Sequence, residues 1–411
     1  MVLTFIVLHA FRVAKTELTK NTDSSTLARP VKHVVDAKEA ERYKVRKQQL
    51  GLALEHYFES AIASGTIVGA GVSIVQGDSI VISEGYGKRN INAIAEVDRE
   101  TIFRLGSLSK GFTGVLAASL QAEGALDWND RVVDYIPDFR LGDQINTHKV
   151  TLTHILSHTS GTPYHSYTNL VEAGLSMANI AKRFQEVNPI SEPGRIYSYQ
   201  NAMFALSQEI MREATGEEIN TLLKDRFFEP LGMTTSSTNA SALNSTENVA
   251  MPHSKRRNGW SSLALNDHYD NAVAAGGINA SALDMGKWMR FLLGHNPTVL
   301  PPAKIENAFN PIVQIGNNNK YYQRWPGHVQ SHYGLGWRIH TFHDKGSTAN
   351  KTMWHHGGSV NSYRNEIALY PETDLGICVL LNSHSRLAQT VIPDLYKIVM
   401  AVYGETSEIK S

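Results

Sequence analysis

The chain carries one cysteine, Cys378, in 411 residues. A lone thiol excludes an intrachain disulfide and any cysteine-built metal centre. Cys378 stands in the apolar run Ile377–Leu381, which points to buried packing rather than reactivity. An excess of charge of either sign is also missing, since 39 lysines and arginines face 39 aspartates and glutamates. With no long basic run, nothing in the sequence points to nucleic acid. No Gly-x-Ser-x-Gly occurs, and repeated βαβ units are lacking, which excludes an α/β-hydrolase. No internal repeat is present.

Apolar stretches of membrane-spanning length are absent too. The opening Met1–Phe11 is apolar but too short to cross a bilayer. It fits the apolar part of a secretory signal, although no lysine or arginine precedes it and the cleavage site is poor. The expectation is either export, to a periplasmic or extracellular space, or a cytoplasmic protein. No stable membrane span is expected, and oligomeric state is left open.

What is present is ordinary for a globular enzyme: 42% apolar and 19% charged residues, in a chain long enough for a large core. Residues 1–47 read as leader and linker, with a charged helix over Asp36–Gln49. From Leu50 the pattern becomes globular, and Leu50, Leu54, Tyr57, Phe58 and Ile62 form a helical stripe. Gly71–Val75 and Ile80–Ile82 read as two strands joined by a tight turn. Helical stretches follow near Leu152–Ser157, Ile180–Glu186, Ala202–Ala214, Glu218–Phe228 and Ala282–Leu293. Asn365–Leu369 and Gly376–Leu381 return to strands, and Ile392–Val402 closes with a helix. Strands at both ends with helices between predict one antiparallel sheet built from the two ends of residues 48–404. A mostly helical subdomain is inserted at about 125–275, and 405–411 form a tail.

The chain is organised around Phe103–Phe112, where Ser107 and Lys110 stand three residues apart at the start of a helix. Leu108, Phe112, Val115, Leu116 and Leu120 give that helix its apolar spacing, and Gly124 stops it. Residues three apart share a face, so the hydroxyl and the amine can meet. A serine hydroxyl attacks only when a base takes its proton, and lysine is a base only when burial or nearby positive charge lowers its pKa. Ser-x-x-Lys alone is a cheap pattern. It recurs at Ser407 and Lys410, in a polar tail where nothing desolvates the amine.

Two further stretches accompany the first: Pro193–Asn201, containing Tyr199-Gln200-Asn201, and Trp354–Ser359, containing His356-Gly357-Gly358. In this order the three resemble the Ser-x-x-Lys, Tyr-x-Asn and His-x-Gly motifs of the serine β-lactamase and DD-peptidase superfamily. They are closest to its branch of class C β-lactamases, D-aminopeptidases and carboxylesterases. Leu126–Val132, Leu152–Gly161, Ala275–Ile278 and Tyr333–Trp337 are similar to stretches of that branch, so the resemblance covers roughly 50–385. It implies a β-lactamase/transpeptidase-like α/β (α+β) fold, an antiparallel sheet flanked by helices.

The resemblance also implies roles. Ser107 forms an acyl-enzyme, Lys110 polarises it, and Tyr199 takes the proton from Ser107 and delivers it to the leaving group. A phenol with a pKa near 10 needs neighbouring positive charge to do that at neutral pH. Asn201 orients Lys110 and the substrate oxygen. Backbone N–H groups of Ser107 and Ser359 form the oxyanion hole, and Gly357 and Gly358 let substrate approach the strand. Tyr197 competes with Tyr199, but only Tyr199 has asparagine two residues on. His355 competes with His356, but only His356 directly precedes Gly-Gly. His154 and His158 have a zinc-compatible spacing without an acidic partner, and read as a structural loop. Asn279-Ala280-Ser281 reads as a helix cap. No metal or organic cofactor is needed.

The chain departs from class A enzymes in lacking Ser-Asp-Asn and Lys-Thr-Gly. Where class C β-lactamases have a charged lysine it has His356, whose imidazole with a pKa near 6.5 is mostly neutral above pH 7. Esters or peptide-like amides are therefore expected over carboxylate-bearing β-lactams. The expected activity is hydrolysis of a small or peptide-like acyl substrate, with acyl transfer or a non-turning-over penicillin sensor as alternatives on the same machinery.

Overall fold

The computed structural model describes residues 37–317, 319–343 and 349–404. Residues 1–36 of the expected leader and linker, and the tail with Ser407 and Lys410, lie outside them, while 37–47 of that expected segment are helical. Chain contacts separate Met1–Tyr43 from a unit at Lys44–Ser411, and it is the latter that carries the sheet and the site.

Among the described residues, twelve strands form: β1 Gly69–Gln76, β2 Ser79–Gly87, β3 Ile102–Arg104, β4 His253–Arg256, β5 Gly259–Ser262 and β6 Asn279–Ser281, then β7 Val313–Gln314, β8 His328–Tyr333, β9 Arg338–Phe342, β10 Lys351–Val360, β11 Tyr363–Tyr370 and β12 Leu375–Leu381. Eight of them make one sheet in the order β2-β1-β12-β11-β10-β9-β8-β7, antiparallel throughout. The expected closure of the sheet by both ends of the domain is the β1–β12 pair, with Val72 opposite Val379 and Ile74 opposite Ile377. An antiparallel sheet covered by helices is the architecture that the resemblance implies.

Strand alternation sorts the side chains to two faces. Val72 and Ile74 of β1 and Ile377, Val379 and Leu381 of β12 pack against Leu50, Leu54 and Phe58 of helix Ala37–Ala63 and Val391, Leu395 and Val399 of helix Val391–Tyr403. Cys378 and Leu380 point the other way, into a larger core with Phe112, Trp288 and Met289. The two central strands are therefore buried on both faces, which explains their continuous apolar runs. The sequence suggests two helical segments before β1. The structure has one, Ala37–Ala63, because no breaker separates Gln49 from Leu50. Sequence reading also misses β4–β5 and the β7–β9 extension, whose polar and aromatic residues lack a clean alternating pattern.

The helix after Ser107 runs Ser109–Ala122, and every residue from Ser109 to Leu120 is buried. It has no solvent face at the position of Lys110. Its glycines allow this enclosure. A Cβ on Gly114 would lie 1.9 Å from the Leu335 carbonyl oxygen, so a larger residue would push the helix off the β8–β9 connection. Gly114→Ala is expected to destabilise the protein by about 1–3 kcal/mol through overpacking, read as a lowered urea midpoint.

Candidate active site

β3 delivers the chain to Ser107. Behind it the buried Arg104 donates to Asn266 Oδ1 at 2.8 Å and also to the His268 carbonyl. Asn365 of β11 donates to the carbonyls of Arg104 and Leu105 at 2.8 and 3.1 Å. Gly106 then turns with φ +57°, and a Cβ there would sit 2.9 Å from Ser359 N. Ser107 lies in a short 3-10 turn, Gly106–Leu108, that leads into the helix, one step earlier than a helical start would place it. It is partly exposed, whereas Lys110 is completely buried.

Three groups surround the Lys110 amine: Ala275 O at 2.7 Å, Asn201 Oδ1 at 2.8 Å and Ser107 Oγ at 3.3 Å. Ala275 lies in the helical turn Val273–Gly276, which Thr113 Oγ1 holds by donating to Ala274 O at 2.9 Å. Asn201 is the first residue of helix Asn201–Thr215, and its Nδ2 donates to Tyr269 Oη at 3.0 Å, which fixes its oxygen toward the amine. Burial, and secondarily the Arg338 cation, hold the amine well below the ordinary lysine range. A neutral amine has two N–H groups and one lone pair. The carbonyl oxygens of Ala275 and Asn201 can only accept, so they take the two N–H groups, and the lone pair is left for the Ser107 hydroxyl.

Tyr199 precedes Asn201 by two residues along extended chain (Gln200 φ −139°, ψ 112°), so both side chains point the same way. The Tyr199 ring centroid is 4.9 Å from Lys110 Nζ. His158, at φ +59°, clamps this segment: its Nδ1 accepts from Gln200 N at 3.1 Å and its carbonyl from Ser198 N at 2.8 Å. His158 thus has a structural role in a loop, whereas His154, expected in the same loop, lies in helix Leu152–Leu156 and accepts from Thr151 N at 3.1 Å. Tyr197 is turned away, toward Tyr333, at 5.3 Å between centroids.

The expected lowering of the Tyr199 pKa is not what this environment produces. Burial pushes the phenol up to about 12, and the Arg338 cation and the hydrogen bond with Ser107 only partly oppose it. Tyr199 is a neutral phenol at pH 7, fit to donate a proton rather than to take the first one. Lys110 is the group in the state to accept it.

β10 pairs with β11 over Trp354–Val360 but with β9 only over Lys351–His355. Beyond His355 its other edge is left without a β9 partner, and the Ser107 turn lies against Gly358 and Ser359. His356 is buried here, 6.4 Å from Tyr199 between ring centroids. Its Nδ1 is 2.8 Å from Gly357 O, so that nitrogen carries the proton, and Nε2 accepts from Tyr333 Oη at 3.0 Å. Burial first, then the Arg338 cation, hold it well below the usual histidine range. It is neutral, as expected, but both ring nitrogens are engaged within the protein. His355 points to the opposite face and contacts Glu366 at 2.8 Å.

Sequence reading gives no role to Arg104, Tyr269, Ala275, Tyr333, Arg338 or Asn365. Ala275 and Tyr333 lie in stretches that carry the resemblance, but their contribution is a carbonyl oxygen and a reach across strands, which no motif displays. Among the described residues, no group of three or more His, Cys, Asp or Glu is arranged to hold a metal ion.

A family model described as Beta-lactamase matches residues 54–395. The chain belongs to the Beta-lactamase family. Membership supports serine-hydrolase or penicillin-binding-protein-like chemistry for these residues. Among curated proteins, this family member is 22% identical over 351 residues to "Protein flp" of Staphylococcus aureus (strain COL), covering 85% of this chain and 66% of that protein. It is 24% identical over 330 residues to "Unguisins hydrolase ungD'" of Aspergillus campestris, covering 78% and 59%. The chain thus spans about two thirds or less of the length of these relatives. A solved structure of an octameric penicillin-binding protein homologue from Pyrococcus abyssi superposes with TM-score 0.69 at 23% identity, over 85% of this chain and 79% of that one, and shares the fold.

The arrangement fixes a sign for pH dependence. A lysine base is active when unprotonated, so kcat/KM measured on a model ester is expected to rise with pH through an ionisation well below that of an ordinary lysine. Arg338→Gln removes the second cause of that lowering and moves the ascending limb to higher pH, as measured by a pH–rate profile.

Proposed function

We propose that this protein is a serine hydrolase that forms an acyl-enzyme on Ser107 and cleaves ester or amide bonds in a small or peptide-like substrate. The observation that carries this reading is the Lys110 amine, fully buried, with two acceptors taking its N–H groups and Ser107 Oγ 3.3 Å away. Lys110 takes the Ser107 proton as Oγ attacks the carbonyl. The substrate oxygen is received by the N–H groups of Ser107 and Ser359, the latter on the open edge of β10. Donors of this kind are each worth about 2.7–4 kcal/mol.

The neutral Tyr199 phenol then gives its proton to the departing alkoxide or amine and regains one from the Lys110 ammonium. Asn201 keeps one amide N–H to offer the substrate. Its oxygen is committed to Lys110. Water entering beside the partly exposed Ser107 releases the acyl group. Neutral His356 gives a substrate carboxylate no charge to pair with, which favours esters and peptide-like or D-amino acid amides over β-lactams. A relative whose name calls it a hydrolase agrees with this reading.

The test is a turnover panel of p-nitrophenyl esters, D-amino acid p-nitroanilides and a chromogenic cephalosporin. The expected outcome is turnover of esters or anilides above the cephalosporin, with a mass increase on Ser107 when the reaction is quenched early. Ser107→Ala abolishes turnover and Tyr199→Phe lowers kcat by about 10²–10⁴-fold. Turnover that survives Ser107→Ala overturns the assignment.

A further inference from the structure

On the face of β10 turned away from Ser107, five side chains form one unbranched line of hydrogen bonds. His328 Nε2 is 2.7 Å from Ser331 Oγ, which is 2.7 Å from His340 Nδ1. His340 Nε2 is 3.1 Å from His355 Nδ1, and His355 Nε2 is 2.8 Å from Glu366 Oε2. His328 is partly exposed, and the other four are buried. The Ser107 chemistry does not use this line, yet its inner end touches the site strand. Gly357 lies directly opposite Glu366 in the β10–β11 register, and a Cβ on it would stand 2.9 Å from both carboxylate oxygens. Ser359 is two residues further along.

The line has a fixed polarity. An ionised carboxylate only accepts, so His355 donates from Nε2 and accepts at Nδ1, His340 does the same, and Ser331 donates to His340 while accepting from His328 Nε2–H. Every histidine is then neutral. One proton taken up at His328 Nδ1 reverses the line. His328 passes its Nε2 proton to Ser331 Oγ, Ser331 passes its own to His340 Nδ1, His340 passes its Nε2 proton to His355 Nδ1, and His355 passes its Nε2 proton to Glu366. One proton enters, one arrives at the carboxyl, and no imidazolium remains.

We propose that His328, Ser331, His340 and His355 form a proton wire through which Glu366 exchanges its charge with solvent, and that this charge sets the strength of the oxyanion-binding edge of β10. The proposal rests on the Ser107 reading above. A negative charge behind Gly357 opposes the negative charge that develops on the substrate oxygen, and it also favours the protonated, inactive form of Lys110. Both effects make neutral Glu366 the active state.

The groups facing Glu366 fit a carboxyl that titrates within the working range. Tyr321 Oη donates to both of its oxygens at 2.9 Å, Arg364 Nη2 lies at 3.2 Å, Arg338 acts on it through its field, His355 faces it from β10, and apolar Val379 stands opposite it on β12. Burial outweighs Arg364, Tyr321 and Arg338 and raises it to about 7, while His340 and His355 are held well below the usual histidine range. The carboxyl, not a histidine, keeps the proton.

The experiment has two arms. Infrared pH titration of the Ser107→Ala protein, which needs no turnover, is expected to show a carboxylic-acid C=O band with a midpoint near pH 7 that is missing from Ser107→Ala/Glu366→Gln. A band that never appears between pH 5 and 9 overturns the proposal. After a pH jump, Ser331→Ala, which cuts the wire near its exposed end, is expected to slow the band by roughly 100-fold. An unchanged rate overturns the wire, and this variant carries the test if Glu366→Gln does not fold. In the kinetic arm, kcat but not KM is expected to fall through the same midpoint, and Glu366→Gln loses that limb, exceeding the parent by about tenfold one pH unit above it. An identical pH–rate profile overturns the coupling to the site. Absence of turnover in the parent overturns the Ser107 reading and the coupling with it, whereas the band tests the wire independently.

Discussion

The site depends on enclosing one amine. An ammonium group buried without compensation costs several kcal/mol, and the protein avoids that cost by making the neutral form the stable one. Lys110 has no water to turn to, because the helix that carries it is packed on all sides. It has two acceptors where a permanent cation would want a carboxylate, and the partly buried Arg338 cation lies in its field. Dehydration and the shortage of counter-charge act in the same direction. The other titratable groups nearby obey the same rule, with Tyr199 and Tyr333 kept as phenols and His356 and His158 as neutral imidazoles.

Holding that amine in place takes distant parts of the fold. Arg104 ties the strand before Ser107 to the 266–270 loop, whose Tyr269 orients Asn201. Asn365 ties the same strand to β11 and so to the sheet. Gly106 lets the Ser107 turn rest against Ser359, and Gly114 lets the helix rest against Leu335. The large core beneath the sheet spans these segments, and the Tyr199 phenol packs beside it in a smaller cluster with Ile315 and Tyr333.

His355 and His356 show how a strand divides labour. Adjacent in sequence, they fall on opposite faces of β10 by simple alternation. His356 joins the aromatic wall with Tyr199 and Tyr333, while His355 joins His340 and Glu366 behind it. The strand thereby couples two polar networks that share no side chain.

Much was legible from the sequence by itself. The apolar runs of β1 and β12, the spacing after Ser107, the ends of helices Asn201–Thr215 and Ala282–Leu292, and the order of the three motifs follow from local pattern, because hydrophobic periodicity and chain direction are local properties. The choice of Tyr199 over Tyr197 and His356 over His355 also followed from neighbours two residues away or fewer. Three things were decided only by tertiary structure: that Tyr199 is driven up rather than down, that the third partner of Lys110 is the backbone oxygen of Ala275, and that Glu366 lies behind Gly357. Each depends on desolvation or on a contact between residues distant in sequence. Burial is a property of the assembled core, and no stretch of chain carries it alone.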